Sequence, residues 1–497
     1  MKLRELAFIC LLITPVFLHA QEELSLENCR RMALEHNKKV KIANEHELAV
    51  QSVKKSAKTQ FYPNIQFNGG YLRSNKDFQL FSEDMFLPVV PHEVYEEGFS
   101  VLEGNPELVE ETFVTNDFQG NPVPVEDPKT GNPLFQDYAY LPKDEAVIDM
   151  HNVFFGSIGL VQPIYMGGKV KETVNLAQHG EDMFRAKKDV SISEVIVETD
   201  ERYWQVISLK EKVKMAEEYK KRLDTLMRDV QNLQEEGIIT SNKVMNVKVK
   251  RNQVDLQLLK AKNGLKLAQM ALNQTIGLPL DTIVELSDSF DEMNELENPE
   301  EYLSAALNQR PEIEALNSGV KMAESGERLM KSRFLPNIGL TAGYSMVNPN
   351  PYNGFESEFG GDINIGVMVN IPIFNWGEKK HTLNAVRHEK QASIEKLEET
   401  KELISMDVQK AIFEYKEASE RVEMTDNSLE QAEENLEVTR DNFEEGMNKL
   451  SDVLEAQSMW QEAYADYIEA KTDLHLQKTK LLKASGKLDS LIDNMKE

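Results

Sequence analysis

The sequence predicts a mixed fold in which long helices alternate with short strands, arranged as an internal duplication within 497 residues. Three observations predict this fold class. One helical stretch is far longer than a compact domain needs, a second copy of it lies earlier in the chain, and segments with a two-residue alternation precede each copy. A period of two indicates strands, whereas a period near 3.5 indicates packed helices.

The longest predicted helix covers residues 378–445, and at 1.5 Å per residue it spans roughly 100 Å. Two series of residues recur within it every seven positions, which is typical of helices that supercoil against neighbours. Gly446 interrupts the pattern, and a second helix is predicted to run back to Gly486. The series are Leu397, Ile404, Ala411, Ala418, Thr425, Ala432, Thr439 and Val408, Tyr415, Val422, Leu429, Leu436, Phe443. The charges expected to face water include Lys396, Glu398, Glu399, Glu433, Glu434 and Arg440.

A duplication is visible in two constant offsets. An offset of 209 residues relates Pro163, Gly237 and Gly277 to Pro372, Gly446 and Gly486. An offset of 273 residues relates the segment Phe61-Tyr-Pro-Asn-Ile to Phe334-Leu-Pro-Asn-Ile. The offsets differ by about 64 residues, so the first repeat carries an insertion of that size between its two proline landmarks.

The elements follow in the same order in both repeats. In the first, the predicted bounds are 21–61 for a helix, 62–72 and 152–165 for strands, 73–151 for the insertion, 166–277 for a helical hairpin and 278–299 for a linker. In the second they are 300–333 for the helix, 334–375 for the strands and 376–486 for the hairpin, followed by a tail at 487–497. We expect continuous helices over 25–58 and 300–333, and a short strand at 282–286.

Composition and the first twenty residues indicate an exported protein. The net charge of −28 excludes a nucleic-acid footprint. Lys2 and Arg4 precede an apolar run at 6–18 that is shorter than a spanning helix, so residues 1–20 are predicted to be a cleaved signal peptide. Cys29 is the one cysteine after it and is expected to be a packed residue. No later segment has the pattern of a transmembrane helix.

Three of the four predicted strands alternate with a period of two, and the strand at 152–165 is dense in apolar residues. In the clearest, 362–373, Ile363, Ile365 and Val367 face one way and Asn364 and Gly366 the other, which suits a strand between lipid and a polar lumen. The alternative is half of a soluble sandwich. Small barrels need about eight strands, so four cannot close one, and several chains would have to contribute to a transmembrane β-barrel.

With these features the chain resembles the TolC-type outer-membrane efflux proteins. The resemblance rests on the duplication, the proline-containing strand ends, and the segment Phe443-Glu-Glu-Gly-Met-Asn-Lys-Leu-Ser-Asp-Val-Leu-Glu-Ala-Gln457, which is similar to the tip motif of that family. It implies a homotrimer in the outer membrane of a diderm bacterium. Four strands per chain, 12 per trimer, would form a transmembrane β-barrel continuous with a long periplasmic α-helical barrel, and the insertion would be extracellular.

The resemblance also implies a function. Such a protein is the passive exit duct of a tripartite efflux or secretion system, working with an inner-membrane transporter and a periplasmic adaptor protein. It needs no cofactor or metal and is not an enzyme, and the sequence has no phosphate loop, zinc motif or Ser/His/Asp signature. The alternative function is a structural periplasmic coiled-coil protein that bridges envelope layers.

Site residues follow from the tip motif. The resemblance assigns Asp452, Glu455, Phe443 and Asn448 to a periplasmic aperture. Asn448 and Phe443 depart from the family's Arg and Tyr, and Gln21 replaces the lipidated Cys of many relatives, so no lipid anchor is expected. The alternative for the two acids is a pair of solvated residues at a helix start, where negative charge is favourable.

The turns between the long helices are the second candidate site. Gly237 and Ile238 in the first repeat, and Gly446 and Met447 in the second, are predicted to form adaptor-docking tips. The alternative is that each glycine only makes the turn.

Overall fold

The computed structural model describes residues 24–88, 114–116, 122–126, 128–129, 131, 138–144, 146–288, 290 and 299–488. The chain forms two compact units. One consists of Met1–Thr59, Gly167–Phe334 and Ile373–Glu497, and the other of Gln60–Met166 and Leu335–Pro372. The predicted signal peptide and parts of the insertion, the linker and the tail lie outside the described residues.

The first unit is helical. Within the described ranges it contains eight helices: α1 (Leu26–His36), α2 (Lys38–Thr59), α3 (Lys169–Glu235), α4 (Ser241–Ile276), α5 (Pro299–Gln309), α6 (Pro311–Ser332), α7 (Glu378–Glu444) and α8 (Leu450–Ala484). None of them combines the length and the apolar composition that crossing a membrane requires. The long helices α3 and α7 have 67 residues each. Each forms an antiparallel hairpin, α3 with α4 and α7 with α8.

The seven-residue pattern predicted the packed face of α7. Every member of both series is buried or half-buried, and the charged residues expected to face water are exposed. The series contact two apolar clusters, one near the helical turns and one towards the other end of the hairpins. Cys29 is also buried, as expected, and burial raises the pKa of its thiol to about 12, so it is unreactive near neutral pH.

The continuous helices expected over 25–58 and 300–333 are each broken. Asn37 separates α1 from α2, and Arg310 separates α5 from α6, both with extended backbone. The Asn37 amide donates to the carbonyl of Thr275 at 2.9 Å, and the Arg310 guanidinium donates to the carbonyl of Ala484 at 3.4 Å. The two offsets relate Asn37 to Arg310 and Thr275 to Ala484. Each break therefore supplies a donor to the end of a return helix, where carbonyls lack helical partners.

Close packing at these breaks requires glycine. A Cβ atom on Gly277 would overlap the Cβ of His36, just before the first break. On the equivalent Gly486 it would lie 3.2 Å from the Cβ of Gln309, just before the second. Both glycines also have positive φ, at +82° and +72°.

An ion pair is charge-reversed between the repeats. Lys54 of α2 contacts Glu181 of α3 at 2.6 Å, whereas the equivalent Glu327 of α6 contacts Lys390 of α7 at 2.8 Å. The hydrogen bond from Lys390, with those from Lys331 and Arg387, lowers the pKa of Glu327 to about 2. Pairing α2 with α7 at this level would bring Lys54 and Lys390, two like charges, together.

The second unit is a sheet with small additions. Its described strands are β1 (Asn64–Arg73), β2 (Phe78–Gln79), β3 (Met85–Pro88), β4 (Val114–Asn116), β5 (Pro122–Pro124), β6 (Tyr138–Leu141), β7 (Val147–Ile148), β8 (Asn152–Met166), β9 (Asn337–Asn348) and β10 (Gly360–Asn370). The main sheet is antiparallel in the order β1-β8-β9-β10. Within the insertion, β2 pairs with β7, β3 with β6 and β4 with β5. Ile363, Ile365 and Val367 remain exposed along β10.

Two strand expectations need correction. The strand predicted to reach residue 373 ends at Asn370. The short strand expected at 282–286 is absent from the described chain, where Leu286 forms only a single bridge with Leu24. After Leu24 the chain enters α1 at Leu26, so the bridge does not extend into a ladder in that direction.

Reversing the charge-swapped pair tests its contribution. We expect Lys54→Glu to lower the free energy of unfolding by about 2 kcal/mol, because a carboxylate then faces the mostly buried Glu181. Adding Glu181→Lys should restore most of the loss. The measurement is unfolding of the detergent-solubilised protein, monitored by circular dichroism.

The control is the exposed pair Lys396 and Glu399 of α7, for which single and double reversals should change stability by less than about 1 kcal/mol. A double variant at Lys54 and Glu181 no more stable than the single one would contradict the pairing role.

Candidate functional site at the helical tips

Two turns with the same hydrogen bonds connect the long hairpins. Gly237 and Gly446 have φ of +81° and +78°. The residue after each glycine donates its backbone N–H to a carbonyl five residues earlier, Ile238 to Leu233 at 2.9 Å and Met447 to Asn442 at 2.8 Å. This is the Schellman termination, in which a left-handed glycine ends the helix and satisfies its last carbonyls.

The turns present apolar side chains to solvent. Ile238 and Met447 are each 65% exposed, although the residue at this position of a Schellman turn often packs back on its own helix. The turns border one cleft of about 650 Å³, whose lining includes Ile238, Ile239, Gly446 and Asn448. Of the predicted docking residues, Ile238 of the first repeat and Gly446 of the second therefore line one cleft.

Phe443 and Asn448 serve the second turn within one chain. Phe443 is half-buried and packs against the apolar cluster near the turns. The Asn448 amide lies 3.5 Å from the carbonyl of Thr439, which it can reach as a donor. Both residues therefore hold the turn in place at the position where the resemblance locates the aperture.

Asp452 stabilises the start of α8. Its carboxylate accepts a hydrogen bond from the backbone N–H of Lys449 at 3.1 Å and one from the hydroxyl of Ser451 at 3.0 Å. These bonds, with the positive charges of Lys449 and Lys243, hold the pKa of Asp452 below its ordinary value. A carboxylate at the third position of a helix commonly closes its first turn in this way.

Glu455 is different from Asp452. It is exposed on α8 one turn further on, and no hydrogen bond or ion pair to it occurs among the described residues. The first-repeat equivalents of the two acids are Lys243 and Asn246, so carboxylates occur at these positions in one repeat only.

A second cleft contains a residue that the sequence analysis did not single out. Gln457 of α8 is 4% exposed, and its carbonyl oxygen has no hydrogen-bond partner among the described atoms. It lines a cleft of about 620 Å³ with Arg222, Arg440 and Phe443, and Phe443 also borders the first cleft. The signal for Gln457 was its place at the end of the tip motif, but its burial and missing partner are tertiary properties.

Metal-ligand chemistry is limited in the described part of the chain. Asp77, Asp149 and His151 form one exposed cluster at the base of the insertion, with His151 Nδ1 at 2.7 and 2.8 Å from the two carboxylates. These contacts describe an ion pair, and exposed groups of this kind do not by themselves define a metal site.

The described chain thus has two hairpins, each built on a 67-residue helix, and a four-stranded antiparallel sheet. The family model of the outer membrane efflux protein matches residues 149–278 and 302–487, and the chain belongs to that family. The resemblance inferred from the tip motif is thereby confirmed, as is an outer-membrane location with a periplasmic portion.

Individual relatives are distant. The probable efflux pump outer membrane protein TtgC and the antibiotic efflux pump outer membrane protein ArpC, both of Pseudomonas putida, are 28% identical over 124 residues, a quarter of this chain and of each relative. The outer membrane channel CmeC of Campylobacter jejuni has a TM-score of 0.69 at 16% identity, over 95% of this chain and 89% of that one. The outer membrane protein VceC of Vibrio cholerae has a TM-score of 0.66 at 14% identity, over 93% of this chain and 96% of that one. The structural likenesses show a shared fold.

Substitution of the turn glycines separates backbone strain from packing. A Cβ on Gly237 or Gly446 would meet open space, so Gly→Ala at either should cost only the left-handed conformation, about 1 kcal/mol. Asn should recover part of this, because it tolerates positive φ. Gly277→Ala should cost clearly more, since its Cβ overlaps His36. Thermal unfolding midpoints in detergent compare them, and equal costs at Gly237 and Gly277 would be inconsistent with the packing at the break.

Proposed function

We propose that this protein is the outer-membrane exit duct of a tripartite efflux or secretion system, through which substrates pass passively from an inner-membrane transporter and a periplasmic adaptor to the outside. The observation that carries the proposal is the membership of the family over both repeats. The duplicated hairpins and the exposed apolar face of the sheet support it.

The duct would be a homotrimer. Within the described residues, β1 and β10 are the edges of the main sheet, and each pairs with one strand only. Such edges pair readily with further strands. Three copies joined at these edges give a 12-stranded barrel, whose exposed apolar residues face lipid, and the helices form the periplasmic barrel. The insertion at 73–151 would then be extracellular, because it connects the end of β1 to the start of β8, whereas the opposite ends of these strands continue into α2 and α3.

Asp452 and Glu455 would line the periplasmic aperture of this trimer. Three copies place six carboxylates around one axis, and a ring of carboxylates in a pore favours cations. Lys243 offsets part of the Asp452 charge within each chain. Glu455 has no such partner in the described chain and would supply more of the selectivity.

Single-channel recording tests the aperture. We expect Asp452→Ala with Glu455→Ala to weaken cation selectivity and block by multivalent cations, with Glu455→Ala alone giving most of the effect. Ser458→Ala, on the same helix but half-buried, is the matched control and should leave both unchanged. Wild-type selectivity and block in folded double-variant trimers would remove both acids from the aperture.

The two clefts near the turns are suited to an adaptor. Ile238 and Met447 provide exposed apolar contacts at the helical turns. In the neighbouring cleft, the buried Gln457 provides an acceptor that has no partner among the described atoms. An unpaired buried acceptor costs free energy, which a donor from a bound protein would recover. Together they favour docking of a helical segment that has apolar side chains and at least one donor.

Charged substitutions at the turns test docking. We expect Ile238→Asp and Met447→Asp to reduce cross-linking to the adaptor in cells and to impair export, because each buries a charge in the contact. Met424→Asp, at a 66% exposed position within α7, is the control and should leave cross-linking intact. Normal cross-linking and export by both turn variants would exclude the turns as the docking surface.

A further inference from the structure

The base of the insertion lies between two strand ladders that are out of step. The ladder of β1 and β8 ends at Arg73, and the ladder of β2 and β7 begins at Phe78. Residues 74–77 connect the ladders on one side and residues 149–151 on the other, so the two connections differ in length. An extra residue on one side disrupts a ladder locally and leaves backbone groups unpaired. The attachment of the insertion therefore depends on other contacts at this level.

Two polar contacts join the connections among the described residues. The backbone N–H of Ser74 donates to the carbonyl of His151 at 3.0 Å. The ring nitrogen Nδ1 of His151 lies 2.7 Å from the carboxylate of Asp77 on the opposite connection and 2.8 Å from that of Asp149 on its own. Asp149 also accepts the backbone N–H of His151 at 2.9 Å. The side-chain link between the connections thus passes through one ring nitrogen.

The charge of the ring decides whether this arrangement is attractive. Nδ1 carries at most one hydrogen, so it cannot donate fully to two carboxylates. A charged imidazolium ring attracts both Asp77 and Asp149 and balances part of their negative charge. With a neutral ring, two carboxylates whose oxygens lie within 4.8 Å of each other have no cation between them, and like charges at that distance repel.

The fold favours the charged form of His151. The hydrogen bond with Asp149, followed by the charge of Asp77, raises the pKa of the ring above its ordinary value, and the positive charge of Arg73 opposes this shift. Hydrogen bonds from the backbone and ring of His151 lower the pKa of Asp149, which therefore stays ionised where the ring titrates. A pKa raised by folding means that the contact stabilises at acidic pH and is lost as the pH rises through the raised value.

We propose that Asp77, Asp149 and His151 form a proton-operated latch, which fixes the base of the insertion to the main sheet while His151 is charged and releases it when the ring is neutral. The latch is particular to the first repeat, because the connection between β9 and β10, residues 349–359, contains no histidine. The proposal rests on the contacts at the base of the insertion and stands independently of the proposed function. With the insertion outside the cell, its attachment would follow the external pH.

Hydrogen–deuterium exchange of the full chain in detergent tests the latch, with mass spectrometry of the peptides that cover 74–79 and 147–151. EDTA is present throughout, so that no metal ion replaces the proton. Exchange is compared at about pH 5 and about pH 9, on either side of the ordinary pKa of histidine. After correction for the intrinsic rate at each pH, we expect protection of these peptides to fall about threefold at the higher pH, a ratio typical of an exposed ion pair. Peptides of β9 and β10 should show no such step.

Three variants separate the latch from general effects of pH. Asp77→Asn removes the charge on the opposite connection and His151→Gln removes the titrating ring, so both should lack the step. His388→Gln, which replaces an exposed histidine of α7, is the matched control and should keep it. Equal wild-type protection at both pH values would overturn the proposal. So would a full step in either latch variant whose β9 and β10 peptides are protected as in the wild type.

Discussion

The unpaired carbonyl groups at the ends of the return helices are the constraint on which this architecture depends. A helix of 67 residues is covered along its length by shorter helices, and wherever two of these meet, backbone acceptors lose their helical partners. The extended residues Asn37 and Arg310 meet this need, each by a side-chain donor to the end of α4 or α8. The glycines at 277 and 486 let the chain come close enough for those bonds.

Contacts between helices recur at equivalent positions of the two repeats, although the residue types that make them differ. Asn37 and Arg310 make equivalent hydrogen bonds with different groups, and the ion pair of Lys54 is reversed at Glu327. Nearby, Glu47 pairs with Lys188 at 2.6 Å. The equivalent residues of the second repeat, Val320 and Leu397, lie together in an apolar cluster. Helix pairing can be maintained by either chemistry provided both partners change together, since an unpaired buried charge is costly.

Periodicity and the offsets were sufficient to predict the long helices, their packed faces, the turns and the alternating strands, because each is a local property repeated along the chain. The sequence does not predict the helix breaks, because the apolar pattern continues through Asn37 and Arg310. The carbonyl groups that accept hydrogen bonds from these two residues are more than 170 residues away in the chain. The unpartnered oxygen of Gln457 was not predicted for the same reason, because its lack of a partner among the described atoms depends on where neighbouring helices lie. The cap at Asp452 is local, since its donors are Lys449 and Ser451, and it corresponds to the alternative in which this acid stands at a helix start.

The turns at Gly237 and Gly446 share a backbone but differ in charge. Lys243 and Asn246 in one correspond to Asp452 and Glu455 in the other. A protein that grips both turns of one chain therefore meets two surfaces alike in shape and unlike in electrostatic potential. If its own contact surfaces are identical copies, they must tolerate both, whereas a partner with two distinct surfaces can bind in only one orientation. Because the duplicated turns differ in charge, a partner can distinguish the two repeats even though their backbones are similar.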